Sequence, residues 1–94
     1  MNKQIIEWAE EKGLVKKENA LAQFAKLSEE VGELANAILK DNHNEQIDAI
    51  GDIQVVLIIL CEQLGWNYEQ CLDHAWNEIK DRKGKTINGS FIKD

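Results

Sequence analysis

Apolar residues recur at helical spacing along most of this chain, and the breaks in that spacing divide it into four helices and a polar tail. The first segment holds Ile5, Ile6, Trp8 and Ala9 and stops at Gly13. It reads as a short, partly amphipathic helix capped by Asn2. From about Glu18 to Lys40 a second helix carries Leu21, Phe24, Ser28, Val31, Ala35 and Ile38 on one side, reinforced by Leu27 and Leu34. These positions cover little more than ~100° of arc, the width of a core-facing stripe. Asp41-Asn42-His43-Asn44 is a run of turn formers and reads as the connection.

A third helix is expected from roughly Glu45 to Leu64, closed by Gly65 in a C-terminal capping position. Its β-branched run (Ile53, Val55, Val56, Ile58, Ile59) also suits a strand, but helical spacing persists up to Gly65, and helix is the better reading. Beyond Ile53 this segment is apolar nearly all round, which implies burial on every side. The chain offers only three other helices as partners, so Val55, Val56 or Ile59 is expected to lack an intramolecular one. Asn67 followed by Gln70 has the form of a capping box for a fourth helix to about Arg82, with Leu72, Ala75, Trp76 and Ile79 as its buried stripe. Residues 84–94 read as a loose polar tail in which Ile87, Phe91 and Ile92 are free to dock. The expected fold is all-α: one four-helix bundle domain over residues 1–83, completed by oligomerisation.

Composition narrows the possible partners. Ninety-four residues, 44% of them hydrophobic, make one small domain and exclude disorder. A net charge of −6, from 11 basic and 17 acidic residues, excludes a general nucleic-acid binder, since a polyanion is repelled. Cys61 and Cys71 show neither metal-ligand spacing nor disulfide density. The charged N-terminus lacks the apolar core of a signal peptide. The apolar run Val55–Cys61 is far shorter than the ~20 residues that span a bilayer. No membrane association is expected, and the compartment is expected to be cytoplasmic.

The candidate chemistry lies in Glu29-Glu30-Val31-Gly32-Glu33 and Asp48-Ala49-Ile50-Gly51-Asp52. Residues three or four apart share a helix face, so Glu30 stands beside Glu33 and Asp48 beside Asp52. Such like-charged pairs repel, and more strongly where water is excluded. Glycine in mid-helix costs about 1 kcal/mol relative to alanine, so Gly32 and Gly51 weaken their helices and are expected to admit a close backbone or ligand. Glu30 falls at the edge of the second helix's apolar arc, Glu33 just beyond it, and Glu29 on the far side. Asp48 and Asp52 fall on the side of Val55 and Ile59, at the mouth of a buried face. Carboxylates so placed must pair with cations or bind metal. The donors are hard oxygens without a suitably spaced histidine, which suits Mg²⁺ or Mn²⁺, and Mg²⁺ completes its shell with water and phosphate.

In these segments, and over about Leu21 to Lys83, the chain resembles the MazG-like nucleotide pyrophosphohydrolases of the all-α NTP pyrophosphatase group, in the short form of phages and Gram-positive bacteria. Their pattern is Glu-Glu-x-x-Glu on one helix and Glu-x-x-Asp on the next. The first half is matched by Glu29, Glu30 and Glu33. In the second, Ala49 stands three before Asp52 and the acid is Asp48, four before, which takes that ligand's place or acts through water. The resemblance implies hydrolysis of a nucleoside triphosphate between its α and β phosphates. It implies Mg²⁺ held by Glu30, Glu33 and Asp52, with Glu29 or Asp48 adding a ligand or orienting the attacking water. It also implies a homodimer or homotetramer.

The chain's basic concentration, Lys80, Arg82, Lys83 and Lys85, lies at the end of the fourth helix. Cations there favour a helix C-terminus by themselves. By the same resemblance Lys80, Lys83 and Asn77 contact substrate phosphates. Trp8 is the aromatic best placed to stack on a base, since the first helix has little else to bury. A non-catalytic helical oligomer, an adaptor or phage accessory protein with solvated acidic faces, is the alternative from another class.

Overall fold

Two asparagines and a glycine set the helix boundaries. In the computed structural model, which describes the whole chain from Met1 to Asp94, the Asn42 side chain accepts the Glu45 N–H at 3.1 Å. That cap starts a helix at His43, two residues before the expected point. Gly65, at φ 82°, ends the same helix in the left-handed conformation its sequence position implied. Asn67 then accepts the Gln70 N–H at 3.0 Å and opens the last helix. The helices are α1 (Asn2–Glu11), α2 (Ala20–Leu39), α3 (His43–Leu64) and α4 (Tyr68–Ile79), with a 3₁₀ turn (Lys17–Asn19) leading into α2. Asn2 is not the cap of α1. Met1 holds that position, and the Asn2 amide instead donates to Glu69 Oε1 at 3.4 Å.

The body is an α2–α3 hairpin, with α1 laid along α3 and α4 only sparsely in contact with it. Gln63 on α3 pins the loop after α1 by donating to the Leu14 carbonyl at 2.9 Å. The buried hydrophobic residues are Ala9, Ala37, Ala49, Val56, Ile58 and Ile59. α3 is thus the central helix, as its pattern implied. The expectation that Val56 or Ile59 lacks a partner fails, since they are only 4% and 3% exposed within the chain.

On α2 the face turned inward is Gln23, Leu27, Glu30, Leu34 and Ala37, not the apolar stripe. Leu21, Val31 and Ile38 on that stripe are 84%, 51% and 60% exposed. The α2–α3 turn accounts for this. The Asn42 N–H donates back to the Ala37 carbonyl at 2.9 Å, and Asp41 adopts φ 54°. A turn so short fixes the rotational phase of α2 against α3 whatever lies on its other faces. Ala37 and Ala49 are fully or nearly buried, and small residues let two helices approach closely. The expected stripe of α4 is exposed as well, including Leu72, Trp76 and Ile79, and α4 has no buried residue.

Two further corrections concern the C-terminal end. α4 stops at Ile79 rather than near Arg82. Residues 84–93 form an antiparallel hairpin, β1 (Gly84–Ile87) with β2 (Ser90–Lys93), in place of a loose tail. Asn88 and Gly89 turn it with φ 50° and 80°, and an Asn-Gly pair in that conformation matches the twist of the strands it joins. The molecule is therefore helical apart from one small two-stranded sheet.

The chain is extended. Its radius of gyration is 15.8 Å, against about 12 Å for a compact domain of this length. It exposes 7414 Å², where a compact monomer of its mass exposes about 5,500 Å². No helix is long and apolar enough to cross a membrane.

Candidate functional site

The inward face of α2 carries a carboxylate where a hydrocarbon would be ordinary. Glu30 is 6% exposed. Its Oε1 lies 3.9 Å from Lys26 Nζ, one turn earlier, and its Oε2 is buried without a hydrogen-bond partner. Loss of water is the main reason the Glu30 carboxyl is pushed above the ordinary glutamate range. The Glu33 carboxylate, as acceptor for the protonated Glu30 carboxyl and through its charge, and then the charge of Asp52, push it the same way, while Lys26 opposes them. The fold thus brings together three of the expected residues, Glu30 and Glu33 from α2 and Asp52 from α3. Asp52 is half-buried, Glu33 is exposed, and Glu29 points outward into solvent.

Beside this trio a cleft of about 320 Å³ opens between the C-terminal half of α2 and the start of α3. Glu33, Asn36, Lys40, Glu45, Asp48 and Ala49 line it. Asp48 therefore faces the same space as Glu33, despite sitting four rather than three residues before Asp52. Asn36, Lys40 and Glu45 were not singled out from the sequence. The usable signal was helical phase: Glu33, Asn36 and Lys40 lie at i, i+3 and i+7, on one face.

The donor set fits a hard divalent cation in kind. It consists of carboxylate oxygens only, and the partnerless Oε2 of Glu30 is a buried acceptor that a cation would satisfy. No three of these side chains already converge to metal-ligand distance. Gly32 and Gly51 both face open space. Nothing lies within 4 Å of where a Cβ would stand at Gly32 or Gly51, so neither admits a close neighbour from within the chain.

The remaining residues named from sequence lie elsewhere. Trp8 packs in the α1–α3 seam with Gln4, Ile5 and Val55, one turn along α3 from Asp52, and stays 50% exposed. Lys12 Nζ sits 6.0 Å from its ring centroid. Asn77, at the end of α4, and Lys80 and Lys83 just after it are exposed and enter no side-chain hydrogen bond or salt bridge. The fold does not bring them to the carboxylates of their own chain.

Residues 3–82 match the phosphoribosyl-ATP pyrophosphohydrolase family, and the chain belongs to that family. The family falls within the MazG-like all-α NTP pyrophosphatase superfamily, so the resemblance drawn from the two acidic segments holds at that level. A curated relative is an uncharacterized 18.2 kDa protein from the rep-hol intergenic region of Haemophilus phage HP1, strain HP1c1. It is 43% identical over 61 residues, which are 65% of this chain. The match spans 37% of that relative's own length. No solved structure matches the chain.

Proposed function

We propose that this member of the phosphoribosyl-ATP pyrophosphohydrolase family is a Mg²⁺-dependent nucleotide pyrophosphohydrolase that cleaves a nucleoside triphosphate between its α and β phosphates, giving the monophosphate and pyrophosphate. The observation that carries the reading is the buried Glu30 carboxylate with one partnerless oxygen, flanked by Glu33 and Asp52. An arrangement that raises a carboxyl's pKa through burial and two like charges opposes folding unless a cation joins it. Family membership gives the cation a task.

Glu30, Glu33 and Asp52 hold the ion, Mg²⁺ or Mn²⁺, and Asp48 adds an oxygen across the cleft. When bound, the ion supplies charge that neutralises the phosphates and acidifies water. Asp48, which faces the cleft, also orients the attacking water, the role the resemblance shares between it and Glu29; Glu29 itself points outward into solvent. Lys40 and Asn36, in the cleft with Glu33, offer a cation and an amide to the phosphate oxygens. Trp8 provides a flat apolar face for the base.

The cations that follow α4 complete the site from a second copy. The chain exposes about 1,900 Å² more than a compact monomer would, and a standard interface buries ~800 Å² per partner. The unpartnered stripes on α2 and α4 are the apolar surface for such an interface. Charge is segregated too. From Lys80 onward the chain carries five basic and two acidic residues, a net of +3, leaving −9 for residues 1–79 and −6 in total. A homodimer or homotetramer can bring Asn77, Lys80 and Lys83 to a neighbour's acidic cleft, which their own chain does not.

Phosphoribosyl-ATP is the second substrate reading, favoured by the name of the matched family. The test is incubation with Mg²⁺ and a panel of standard and modified deoxynucleoside triphosphates together with phosphoribosyl-ATP, reading pyrophosphate. Release that EDTA abolishes is the expected result, and the fastest substrate identifies the class. Absence of release across the panel, with no Mg²⁺-dependent thermal shift, would favour the non-catalytic adaptor.

A further inference from the structure

The β1–β2 hairpin is a structured element that its own chain leaves bare. Its strands pair from Gly84 with Lys93 to Ile87 with Ser90, and the Asp94 N–H donates to the Lys83 carbonyl at 2.9 Å, one rung further. Neither strand packs against any helix, and every residue of both is exposed. A lone two-stranded hairpin is marginal in water, so this one needs a surface to lie on.

The register sorts its side chains onto two faces, because directly opposed residues share a face and so do alternate residues of one strand. Thr86, Phe91 and Lys93 stand on one side, where the Phe91 ring occupies the space a Gly84 side chain would need and so covers the hairpin's own backbone. Lys85, Ile87, Ser90 and Ile92 stand on the other. That second face presents an apolar pair, Ile87 and Ile92, both exposed, with an ammonium beside it.

The carboxylate cleft offers the complement. Leu39 and Ile47, next in sequence to the cleft residues Lys40 and Asp48, are 83% and 72% exposed. Inside it Glu33, Glu45 and Asp48 face a single cation, Lys40. The hairpin does not reach this cleft in its own chain. Two hairpins pairing edge to edge would bring like charges together, since residues 82–94 carry four basic residues and one acidic. Residues 1–79, with six basic and fifteen acidic residues, carry −9 and attract the hairpin instead.

We propose that the hairpin is a docking arm for a second copy of this chain: its Ile87–Ile92 face lies on that copy's Leu39 and Ile47, and Lys85 enters that copy's acidic cleft. Apolar burial supplies the affinity, and the charge pairing sets the register. Each cleft then holds a cation from either chain, Lys40 and the arm's Lys85, and is complete only where an arm is seated. The use of Lys85 on a substrate phosphate rests on the pyrophosphohydrolase reading; the docking does not.

The test therefore omits nucleotide and metal, so that failure of the docking and failure of the activity are separate results. Unlabelled and heavy-nitrogen chains, mixed, equilibrated and treated with a carbodiimide that joins amines directly to carboxylates, should give peptides linking Lys85 to Glu33, Glu45 or Asp48 across the two labels. Amide protection from Lys85 to Lys93 should fall on dilution, in step with dissociation. Ile92→Asp should weaken self-association by about 10–100-fold. Lys85→Glu, which keeps the apolar pair, should weaken it by about tenfold or more with helix content unchanged, while Lys85→Arg should associate as the native chain does. Linked peptides confined to one label, arm protection that survives dissociation, or Lys85→Glu chains that associate as tightly as native ones would overturn the proposal.

Discussion

Lys26 Nζ stands 3.9 Å from Glu30 Oε1 and is the only cation paired with that buried carboxylate, whose Oε2 has no partner at all. One long ion pair, with a lysine that is itself 59% exposed, does not offset the burial of a charge flanked by Glu33 and Asp52. The consequence is a dependence of stability on pH that runs opposite to that of an ordinary salt-bridged carboxylate. Since the folded-state pKa of Glu30 is raised, its contribution is fully present below the unfolded-chain value and lost as pH rises through the folded value. Metal-free protein should therefore lose stability with rising pH over that window, as read from urea melts in the presence of chelator. Glu30→Gln should flatten this dependence and, above the window, stabilise the metal-free chain by about 1–3 kcal/mol. Unchanged pH dependence in the variant would show that Glu30 is not the group responsible.

Glu33→Gln and Asp52→Asn each remove one charge from the trio while keeping its shape. Pyrophosphate release should fall by on the order of 10²–10³ or more. The far-ultraviolet spectrum should be unchanged and the metal-free melting temperature the same or higher, since like-charge repulsion is relieved. Asp48→Ala tests the residue displaced by one position from the expected spacing. Weakened Mg²⁺ dependence would place it in the cation's shell, and unchanged kinetics would confine it to the cleft wall.

Val31 and Trp76 lie on the exposed stripes of α2 and α4, 51% and 57% accessible. Burying a side chain of this kind is worth about 1.5–3 kcal/mol, so the stripes should drive self-association. Sedimentation equilibrium should give at least a dimer for the native chain. Val31→Glu or Trp76→Glu should shift it toward the 10.7 kDa monomer, with helix content retained. A native chain that is folded and active as a monomer would rule out the shared site.

Gly32 faces open space within the chain, with nothing within 4 Å of the point where a methyl group would stand. Gly32→Ala should accordingly stabilise the protein by about 0.5–1 kcal/mol in thermal melts through helix propensity alone. Destabilisation instead would locate a packed neighbour from another chain against this turn of α2.

Gly84 pairs with Lys93 at the open end of the hairpin, and a side chain there would run into the Ile92 carbonyl, the Phe91 ring and the Lys93 backbone. A lone two-stranded hairpin is marginal in water. Gly84→Val should melt β1 and β2 while leaving the helices intact, seen as loss of amide protection from Lys85 to Lys93 alone.

What local energetics decide was legible in the sequence. Gly65 closes α3 because a left-handed residue is cheapest without a Cβ, and Asn67 opens α4 because its side chain replaces a missing helical acceptor. Continuous apolar character marked α3 as the central helix. Helical phase put Glu30 beside Glu33, and Glu-Glu-x-x-Glu with Asp52 on the next helix carried the family. The hairpin is equally local, signalled by Asn88-Gly89 between Thr86-Ile87 and Phe91-Ile92, a signal that reading residues 84–94 as a polar tail passes over. What the tertiary structure decided was which faces meet. The most apolar stripe of α2 points outward because the tight turn at Asp41 and Asn42, and the small Ala37 against α3, set the helix's rotation. That rotation turned Glu30 from the edge of a stripe into a buried carboxylate, opened the cleft beside Lys40 and Asp48, and left Lys80 and Lys83 apart from it. A sequence pattern shows the faces a helix possesses; only the connection and the packing partner choose the one that is buried.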